Sequence, residues 1–204
     1  MKKLDIKGKL AKRRGKRISR FAFHLLMGVI AKPFLLPKMN LTIIDNVGMK
    51  KYKKQFIAVS NHTSRCDWLY VGSALYPQRV NYMVSYTEFF RAHMHGVFDF
   101  AHMIPKKNFT SDMHSIRELA DVVKQGGSVV FFPEGKSSIS GTNQPVMLGT
   151  GKLFKHFKLP VIVTKISGGY MSNTQWNIQN RPGKVEITVD LLFSPEDCEK
   201  LSTE

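Results

Sequence analysis

The sequence predicts an α/β domain in which a mixed β-sheet is flanked by helices, with an amphipathic helix at its N-terminus. Short runs rich in Val, Ile and Phe alternate with segments of helical periodicity along the chain. The length of 204 residues fits a single domain, because separate cores usually form only in longer chains. Hydrophobic residues make up 43% of the chain, which is enough for a sizeable core.

Residues 1–39 combine a basic tail with the predicted amphipathic helix. The segment Lys2–Arg20 contains ten Lys or Arg residues and a single acid. The apolar stretch Phe21–Leu36 follows, and Pro33 and Pro37 are expected to end its helix. This stretch is shorter than the roughly 20 apolar residues that a membrane-spanning helix needs. We therefore expect the helix to lie on a membrane surface.

Helical spacing gives this segment two faces. Basic and small residues recur on one face, at Arg17, Arg20, His24 and Gly28, and apolar residues recur on another, at Ile18, Phe21, Leu25 and Val29. A secretory signal peptide is a second interpretation, but no small-residue cleavage site follows the apolar stretch. A solvated basic tail that leads into a core helix is a third interpretation.

Residues 40–204 are predicted to form the catalytic domain. The predicted strands are Leu41–Asn46, Phe56–Ser60, Val80–Ser85, His102–Pro105, Ser128–Phe132, Pro160–Ile166 and Val185–Phe193. Helical patterning is found in Ser64–Leu75, Thr87–Met94, Asp112–Lys124 and Met147–Phe157. The strongest motifs of the chain then fall at strand-to-helix turns, where α/β sheets tend to bind ligands.

The net charge of +16 requires an anionic partner, which could be nucleic acid, an anionic membrane surface or a phosphorylated substrate. Cys66 and Cys198, the two cysteines, are too few for a disulfide framework or a four-cysteine metal site, so a reduced, cytosolic setting is expected. No pair formed by His93, His95, His102 or His114 has a recognised metal-ligand spacing. No metal site is therefore expected.

The first motif is Asn61-His62-Thr63-Ser64-Arg65-Cys66-Asp67, between a predicted strand and a predicted helix. Five residues apart within a helix, His62 and Asp67 would point in different directions, but a His in the preceding turn lets the carboxylate reach back to the ring. An alcohol that attacks a thioester needs a general base, and His62 is suited to that role. Asp67 would orient the imidazole and stabilise its charged form.

The second motif is Phe131-Phe132-Pro133-Glu134-Gly135-Lys136-Ser137-Ser138, where an apolar strand gives way to a polar turn. Gly135 permits unusual backbone angles there. Lys136, with the hydroxyls and amides of Ser137 and Ser138, could hold a phosphate group. The alternative is an ordinary charged turn.

Together the two motifs resemble the glycerophospholipid acyltransferase family, in particular the 1-acylglycerol-3-phosphate acyltransferases. That family has a His, four residues and an Asp, followed later by Phe-Pro-Glu-Gly-Thr-Arg-Ser. The resemblance extends over about residues 40–193 and includes blocks at 96–107 and 159–163. It implies His62 and Asp67 as the catalytic pair, and it assigns substrate binding to Lys107, Glu134, Gly135, Lys136 and Ser137.

The resemblance also implies the substrates and the location. The donor would be acyl-CoA or acyl-carrier protein, used as a co-substrate with no further cofactor, and the acceptor a lysophospholipid such as 1-acyl-sn-glycerol-3-phosphate. The enzyme would lie at the cytoplasmic face of the membrane, held peripherally by its N-terminal segment, with the anionic membrane surface as its partner and no nucleic acid. Lys107 and Ser137 both stand where the family usually has Arg. These departures leave the acceptor head group open.

Other functions fit less well. A phosphate-binding loop of the nucleotide hydrolases would need Gly where this chain has Val130. A serine hydrolase would need a Gly-x-Ser-x-Gly elbow, and a Cys66 nucleophile would place His62 in an untypical arrangement. A basic nucleic-acid-binding module or a structural membrane-peripheral protein would not explain the two motifs.

Overall fold

A seven-stranded β-sheet forms the centre of the computed structural model, which describes residues 6–91, 94–108, 110, 112–174, 176, 179, 181 and 183–201. Among these residues the strands are β1 (Leu41–Asp45), β2 (Ile57–Ser60), β3 (Val80–Ser85), β4 (Ile104–Lys106), β5 (Ser128–Phe131), β6 (Val161–Ser167) and β7 (Val185–Phe193). Their order is β1-β7-β6-β2-β5-β3-β4. Neighbouring strands are parallel except for β6 and β7. The predicted mixed sheet is confirmed.

The central strands β2 and β5 are buried along their whole length. Their sequences, Ile-Ala-Val-Ser and Ser-Val-Val-Phe, are nearly continuous apolar runs, as expected for parallel strands covered on both faces. The edge strand β1 is mostly exposed, so it needs no such composition. Because β2, β3, β4, β5 and β6 run parallel, their carboxyl ends share one edge of the sheet, which we call the carboxyl edge.

The α-helices are α1 (Ile6–Ala11), α2 (Arg20–Phe23), α3 (Asp67–Leu75), α4 (His95–Phe100), α5 (Met113–Lys124), α6 (Thr150–Phe157), α7 (Gly169–Ser172) and α8 (Pro195–Lys200). A π-helix continues α2 over His24–Leu35, and 3-10 helices cover Leu36–Met39 and Tyr86–Phe90. One hydrophobic cluster joins α3 and the N-terminal helices to the sheet, and a second joins α5, α6 and α8 to it. The sheet is thus covered on both faces.

The N-terminal helix differs from its prediction in where it ends. Pro33 lies inside the π-helix, so the expectation that it ends the helix was wrong. Pro33 has no backbone N–H to donate to the carbonyl four residues earlier, as an α-helix requires. The helix can contain it because the hydrogen bonds of this segment follow the π-helical pattern. Within the described residues, no helix combines the length and the apolar character needed to cross a membrane.

This helix has apolar residues on two sides. Phe23, Met27 and Ala31 are buried in the core of the domain. Phe21 is 72% exposed and Val29 is also exposed, so these two residues of the predicted apolar face do not pack on the domain. The described part of the segment 1–39 therefore shares its core with residues 40–204 and still presents apolar side chains outwards.

The basic segment before the helix is docked on the domain. The side-chain amide of Asn81 donates to the Lys16 carbonyl at 2.9 Å, and its oxygen accepts from the Ile18 amide at 3.0 Å. Gly15 packs so closely on α5 that a β-carbon at position 15 would lie 1.9 Å from the Glu118 carbonyl oxygen. Only a residue without a side chain fits there. This part of the chain is therefore not a free, solvated tail.

Three helix predictions need correction. The helix predicted over Met147–Phe157 begins at Thr150. The helix predicted over Ser64–Leu75 begins at Asp67. The helix predicted over Thr87–Met94 was wrong, because its described residues form a 3-10 helix that ends at Phe90, and α4 begins only at His95. The rings of the buried residues Phe89 and Phe98 lie 5.2 Å apart, so the chain has to turn between the two short helices to bring them together.

Candidate active site

The candidate active site lies at the carboxyl edge of the sheet. The turns after β2, β5 and β6 meet there, because the three strands are neighbours and run parallel. The turn after β2 carries His62, and the turn after β5 carries Glu134. Ligands of α/β sheets usually bind at this edge.

His62 and Asp67 form the pair that the spacing predicts. The His62 ring nitrogen Nδ1 lies 2.8 Å from Oδ2 of Asp67. His62 precedes the helix, and Asp67 is the first residue of α3, so the carboxylate faces back towards the ring. The His62 side chain remains 25% exposed, whereas Asp67 is fully buried. The ring therefore has a buried carboxylate on one side and access to solvent on the other.

Hydrogen bonds within the same turn hold the Asp67 carboxylate. Its Oδ2 accepts from the backbone amides of Thr63 at 2.7 Å and Ser64 at 2.9 Å. Its Oδ1 accepts from the Ser64 hydroxyl at 2.6 Å. A buried carboxylate with these donors is compensated for its loss of water. Ser64 lies within the first motif, but its role as a partner of Asp67 was not predicted from the sequence.

Phe132 and Glu134 hold His62 from the neighbouring strand. The Phe132 ring stacks on the imidazole, with 4.3 Å between the ring centroids. Oε1 of Glu134 accepts from the His62 backbone amide at 3.1 Å, and Oε2 accepts from the Gln144 amide at 3.0 Å. Glu134 was predicted to bind substrate, but both of its oxygens bind backbone amides and the residue is buried. Glu134 therefore fixes the position of the His62 backbone.

Asn61, the first residue of the first motif, has a structural role that was not predicted from the sequence. Its side-chain amide donates to the Ile166 carbonyl at 2.9 Å, and its oxygen accepts from the Ile166 amide at 2.8 Å. These two bonds continue the pairing of β2 with β6 by one residue and fix where the chain leaves the sheet. His62 is the next residue, so Asn61 sets its position. No signal in the sequence distinguishes this Asn from an ordinary turn residue.

The second motif packs directly against the first. The Ser138 amide donates to the His62 carbonyl at 2.8 Å, so it is not free to bind a phosphate as predicted. Gly135 has a φ of +70°, and a β-carbon there would lie 2.4 Å from the Met147 sulfur. Lys136 is exposed beside this turn. The Oγ atom of Ser137 is buried and has no hydrogen-bond partner among the described residues.

Lys107 lies further from the catalytic pair. It follows β4, and in the order β2-β5-β3-β4 it is separated from the His62 strand by three inter-strand spacings. At about 4.8 Å for each spacing, this separation is about 14 Å. The Lys107 amide donates to Asp112 at 2.8 Å, and its ammonium group lies 5.8 Å from the centre of the Tyr86 ring. Lys107 therefore shares the carboxyl edge with His62 without contacting it.

The short helix α7, which the sequence did not predict, closes the buried side of the site. A β-carbon at Gly169 would lie 3.3 Å from the Thr63 hydroxyl and 3.5 Å from Oδ1 of Asp67. The Asn173 amide donates to the Tyr70 hydroxyl at 3.0 Å and so ties α7 to α3. Glycine at position 169 allows this close approach.

The remaining candidate groups have other surroundings. Burial raises the pKa of the Cys66 thiol, the charge of Arg65 lowers it to a smaller extent, and the charge of Asp67 raises it further. The thiolate needed for a nucleophile is therefore disfavoured. His95 and His114 pair with carboxylates one helical turn away, at 3.2 Å in both cases. In the part of the chain that the structure describes, no group of three His, Cys, Asp or Glu residues could hold a metal ion.

Comparisons with known proteins identify the family and a related protein. A profile of the family described as Acyltransferase matches residues 38–167. A curated 1-acyl-sn-glycerol-3-phosphate acyltransferase from Chlamydomonas reinhardtii is 26% identical over an alignment of 180 residues. The alignment covers 86% of this chain and 53% of that protein. The chain thus spans about half the length of the curated relative it matches.

A solved structure shares the fold. The crystal structure of the 1-acyl-sn-glycerophosphate (LPA) acyltransferase from Thermotoga maritima is similar with a TM-score of 0.67. The similarity covers 96% of this chain and 81% of that chain at 16% sequence identity. At this identity the likeness shows that the two chains share an architecture.

Proposed function

This chain belongs to the Acyltransferase family, and from that premise we propose that it transfers a fatty-acyl group from a thioester donor to a lysophospholipid. The proposed acceptor is 1-acyl-sn-glycerol-3-phosphate, with its free hydroxyl as the nucleophile. The proposed donor is acyl-CoA or acyl-carrier protein. The product would be a diacylated phospholipid precursor together with the free thiol.

One observation carries the proposal, namely the contact of His62 with the buried Asp67 carboxylate. A carboxylate can only accept a hydrogen bond, so Nδ1 of His62 must hold the proton that lies between them. In the neutral form of the imidazole, this tautomer leaves Nε2 as the nitrogen that can accept a proton. The partial exposure of the ring gives a substrate access to it. This is the arrangement that general-base catalysis requires.

The reaction follows from this geometry. Nε2 of His62 takes the proton of the acceptor hydroxyl while the hydroxyl oxygen attacks the thioester carbonyl carbon. Asp67 stabilises the imidazolium that forms. The tetrahedral intermediate then collapses, the carbon–sulfur bond breaks, and the imidazolium returns its proton to the departing thiolate. An ester and a thiol result, and His62 regains its original state without a covalent enzyme intermediate.

The acceptor assignment draws on the second motif. Lys136 is an exposed cation two residues before Ser138, whose amide bonds to His62. The buried Ser137 hydroxyl lacks a hydrogen-bond partner among the described residues. Because an unpaired buried hydroxyl is costly, a ligand oxygen is a natural partner for it. A phosphate oxygen held by these two groups would place the neighbouring glycerol near the base. The name of the curated relative from Chlamydomonas reinhardtii supports the same acceptor.

A lysophospholipid with a different head group is the second candidate acceptor. Lys107 and Ser137 stand where the family usually has Arg, so the bidentate phosphate contact of Arg is missing at both positions. An acceptor with less charge on its head group would need fewer cations. The panel assay described below separates the two candidates.

We also propose that the protein works at the cytoplasmic surface of a membrane, held there peripherally. The N-terminal helix has exposed Phe21 and Val29 on its outer side, next to a segment rich in Lys and Arg. Apolar side chains flanked by cations favour the surface of an anionic bilayer. Such a location would also bring the enzyme to its lipid substrate.

The proposal is tested by a panel assay of the purified chain. Long-chain acyl-CoA and acyl-carrier protein would each be combined with lysophosphatidate, other lysophospholipids and glycerol 3-phosphate, with release of thiol and formation of lipid product both measured. We expect transfer to lysophosphatidate at the highest kcat/KM, and its loss in His62→Ala. Transfer at an equal rate by a folded His62→Ala variant would overturn the mechanism, and preference for another acceptor would overturn the assignment to lysophosphatidate.

A further inference from the structure

We propose that the loop beside the candidate active site enters the lipid surface during catalysis. The loop covers residues 138–149, between the second motif and α6, and we call it the rim loop. Met171 and Trp176 extend its apolar surface. This proposal rests on the proposed function, since it specifies how the same site meets its lipid substrate. The lipid contact is distinct from the one made by the N-terminal helix.

The rim loop carries no charged residue, and neither does the segment 166–180 that contains Met171 and Trp176. Residues 137–151 include no Asp, Glu, Lys or Arg, in a chain in which 23% of residues are charged. A stretch of fifteen residues at that frequency would be expected to carry three or four charges. The stretch is bounded by Lys136 and Lys152. Charged side chains are the most costly groups to place in a lipid surface, so their absence permits insertion.

The loop presents large apolar side chains to solvent. Leu148 is 98% exposed and Ile139 is 78% exposed, and Val146, Met171 and Trp176 are each more than half exposed. Soluble proteins expose single apolar residues commonly, but a group of this kind in one place indicates an interaction surface.

Hydrogen bonds join Ile139 to Tyr170 and Trp176, and the residue before Ile139 contacts His62. The Ile139 carbonyl accepts from the Tyr170 hydroxyl at 2.9 Å and from the Trp176 indole N–H at 3.4 Å. The adjacent Ser138 amide donates to the His62 carbonyl at 2.8 Å. The apolar surface therefore borders the catalytic residue, and a lipid that leaves the bilayer at this surface arrives beside the base.

The cations around the rim loop favour an anionic lipid surface as the occupant. Lys136 and Lys152, which bound the uncharged stretch, are exposed. The Arg181 guanidinium lies 5.6 Å from the centre of the Trp176 ring. Trp is enriched at the level of lipid head groups, and long basic side chains there reach the phosphates. Glu134, the acid nearest to the loop in sequence, is buried on backbone amides and does not repel such a surface.

Trp176 provides a reporter for the experiment. The chain has two Trp residues, so Trp68→Phe leaves Trp176 alone. The full-length variant would be bound to vesicles of phosphatidylglycerol and phosphatidylcholine whose acyl chains carry bromine, and the bound fraction measured by sedimentation. We expect the emission of Trp176 to shift to the blue and to be quenched at least twofold. Unshifted, unquenched emission from bound protein, or failure to bind at all, would overturn the proposal.

Charge substitution tests the loop itself. In the Trp68→Phe background, Leu148→Glu should reduce the quenching by at least half. Leu191→Glu is the matched control, because Leu191 is also exposed but pairs with Ile162 at the start of β6, at the opposite edge of the sheet. An equal effect of both substitutions would contradict a specific role of the rim loop.

An activity measurement separates this proposal from the proposed function. Leu148→Glu should lower transfer to lysophosphatidate in vesicles at least fivefold and leave transfer to a short-chain, monomeric acceptor unchanged. If the parent chain transfers no acyl group, the proposed function fails while the fluorescence result still decides the lipid contact. Lipid-free dimerisation that Leu148→Glu abolishes would assign the surface to a second copy of the chain and overturn the proposal.

Discussion

Ser64 donates its hydroxyl to Oδ1 of Asp67 at 2.6 Å, the carboxylate oxygen that His62 does not contact. This bond keeps the carboxylate from rotating away from the imidazole. Hydrogen bonds to a charged group contribute about 1.5–3 kcal/mol each. We expect Ser64→Ala to lower kcat by about tenfold or more, because the Asp67 carboxylate is no longer held in a fixed orientation against His62. The KM for the donor should change little. Steady-state kinetics on the folded variant would check this, and an unchanged kcat would contradict it.

Replacing the pair itself should have a larger effect. Asp67→Asn keeps the shape of the side chain, and its carbonyl can still accept from the Thr63 and Ser64 amides, so the fold should survive. The charge that stabilises the imidazolium is lost. Because a positioned general base contributes about 100-fold to 10,000-fold, we expect losses of this order for both His62→Ala and Asp67→Asn. Circular dichroism would establish folding, and kcat/KM of each variant the effect.

Much of the fold could be predicted because local composition determines it. The buried strands β2 and β5 consist almost wholly of apolar residues, and their places in the chain agree with the prediction to within a residue. The contact between His62 and Asp67 could also be predicted, since it depends on a strand-to-helix turn within one short segment. The other parts of the site could not be obtained in this way.

The missed features depend on contacts between distant parts of the chain. Gly15 fits against Glu118 only because the N-terminal segment crosses α5, which no local pattern encodes. Phe132 stacks on His62 because β5 and β2 are neighbours in the sheet. Asn61 acts through a bond to β6, a hundred residues further on. Residue type and spacing carry no information about such pairs.

The acceptor's phosphate should depend on the lysines at the carboxyl edge. Charge-assisted hydrogen bonds of about 1.5–3 kcal/mol correspond to roughly tenfold to hundredfold in efficiency. We expect Lys136→Ala to lower kcat/KM for lysophosphatidate by that factor. Lys107→Ala should lower it less, because Lys107 lies about 14 Å from the His62 strand. Both variants should leave hydrolysis of the acyl donor by water unchanged. Lys136→Arg should retain most activity. Lys51→Ala is the control, since Lys51 is exposed beyond β1 at the opposite edge. Normal use of lysophosphatidate by both alanine variants would contradict the assignment.

The outer side of the N-terminal helix should contribute to membrane binding. Deletion of residues 1–20 would be a poor test, because it removes the buried Ile18 and its bond to Asn81. We instead expect Phe21→Glu with Val29→Glu to weaken binding to anionic vesicles by at least tenfold, because apolar area and charge both favour the bound state. Leu192→Glu, exposed on β7, is the control. Sedimentation at physiological salt would measure the binding, and equal affinity of all three proteins would exclude the helix as the anchor.

The stability of the fold should depend on pH through Glu118. This carboxyl is only 1% exposed, and burial raises its pKa from 4.5 to about 7 against the opposing influence of Arg13. Arg13 lies 3.5 Å and His114 3.2 Å from its oxygens, while the charges of Asp112 and Asp121 raise the pKa further. The basic N-terminal segment is thus attached to α5 partly through a carboxyl group that resists ionisation.

The direction of the pH effect follows from where the proton binds. Between pH 4.5 and about 7, folded Glu118 keeps a proton that the unfolded chain has lost, so the free energy of unfolding falls as pH rises through this window. The full effect of a shift of this size is up to about 3 kcal/mol, since one pKa unit corresponds to about 1.4 kcal/mol.

Glu118→Gln stays neutral at every pH and should therefore match the parent near pH 4.5 and exceed its stability at pH 8. The free energy of unfolding of each protein would be measured with urea at each pH, and the two values subtracted. The subtraction cancels the contribution of the histidines that titrate in the same range, because both proteins contain them. A difference that is flat between pH 4.5 and 8, or that favours the parent as pH rises, would show that Arg13 keeps Glu118 ionised and that the pair stabilises the docked segment as an ordinary buried salt bridge.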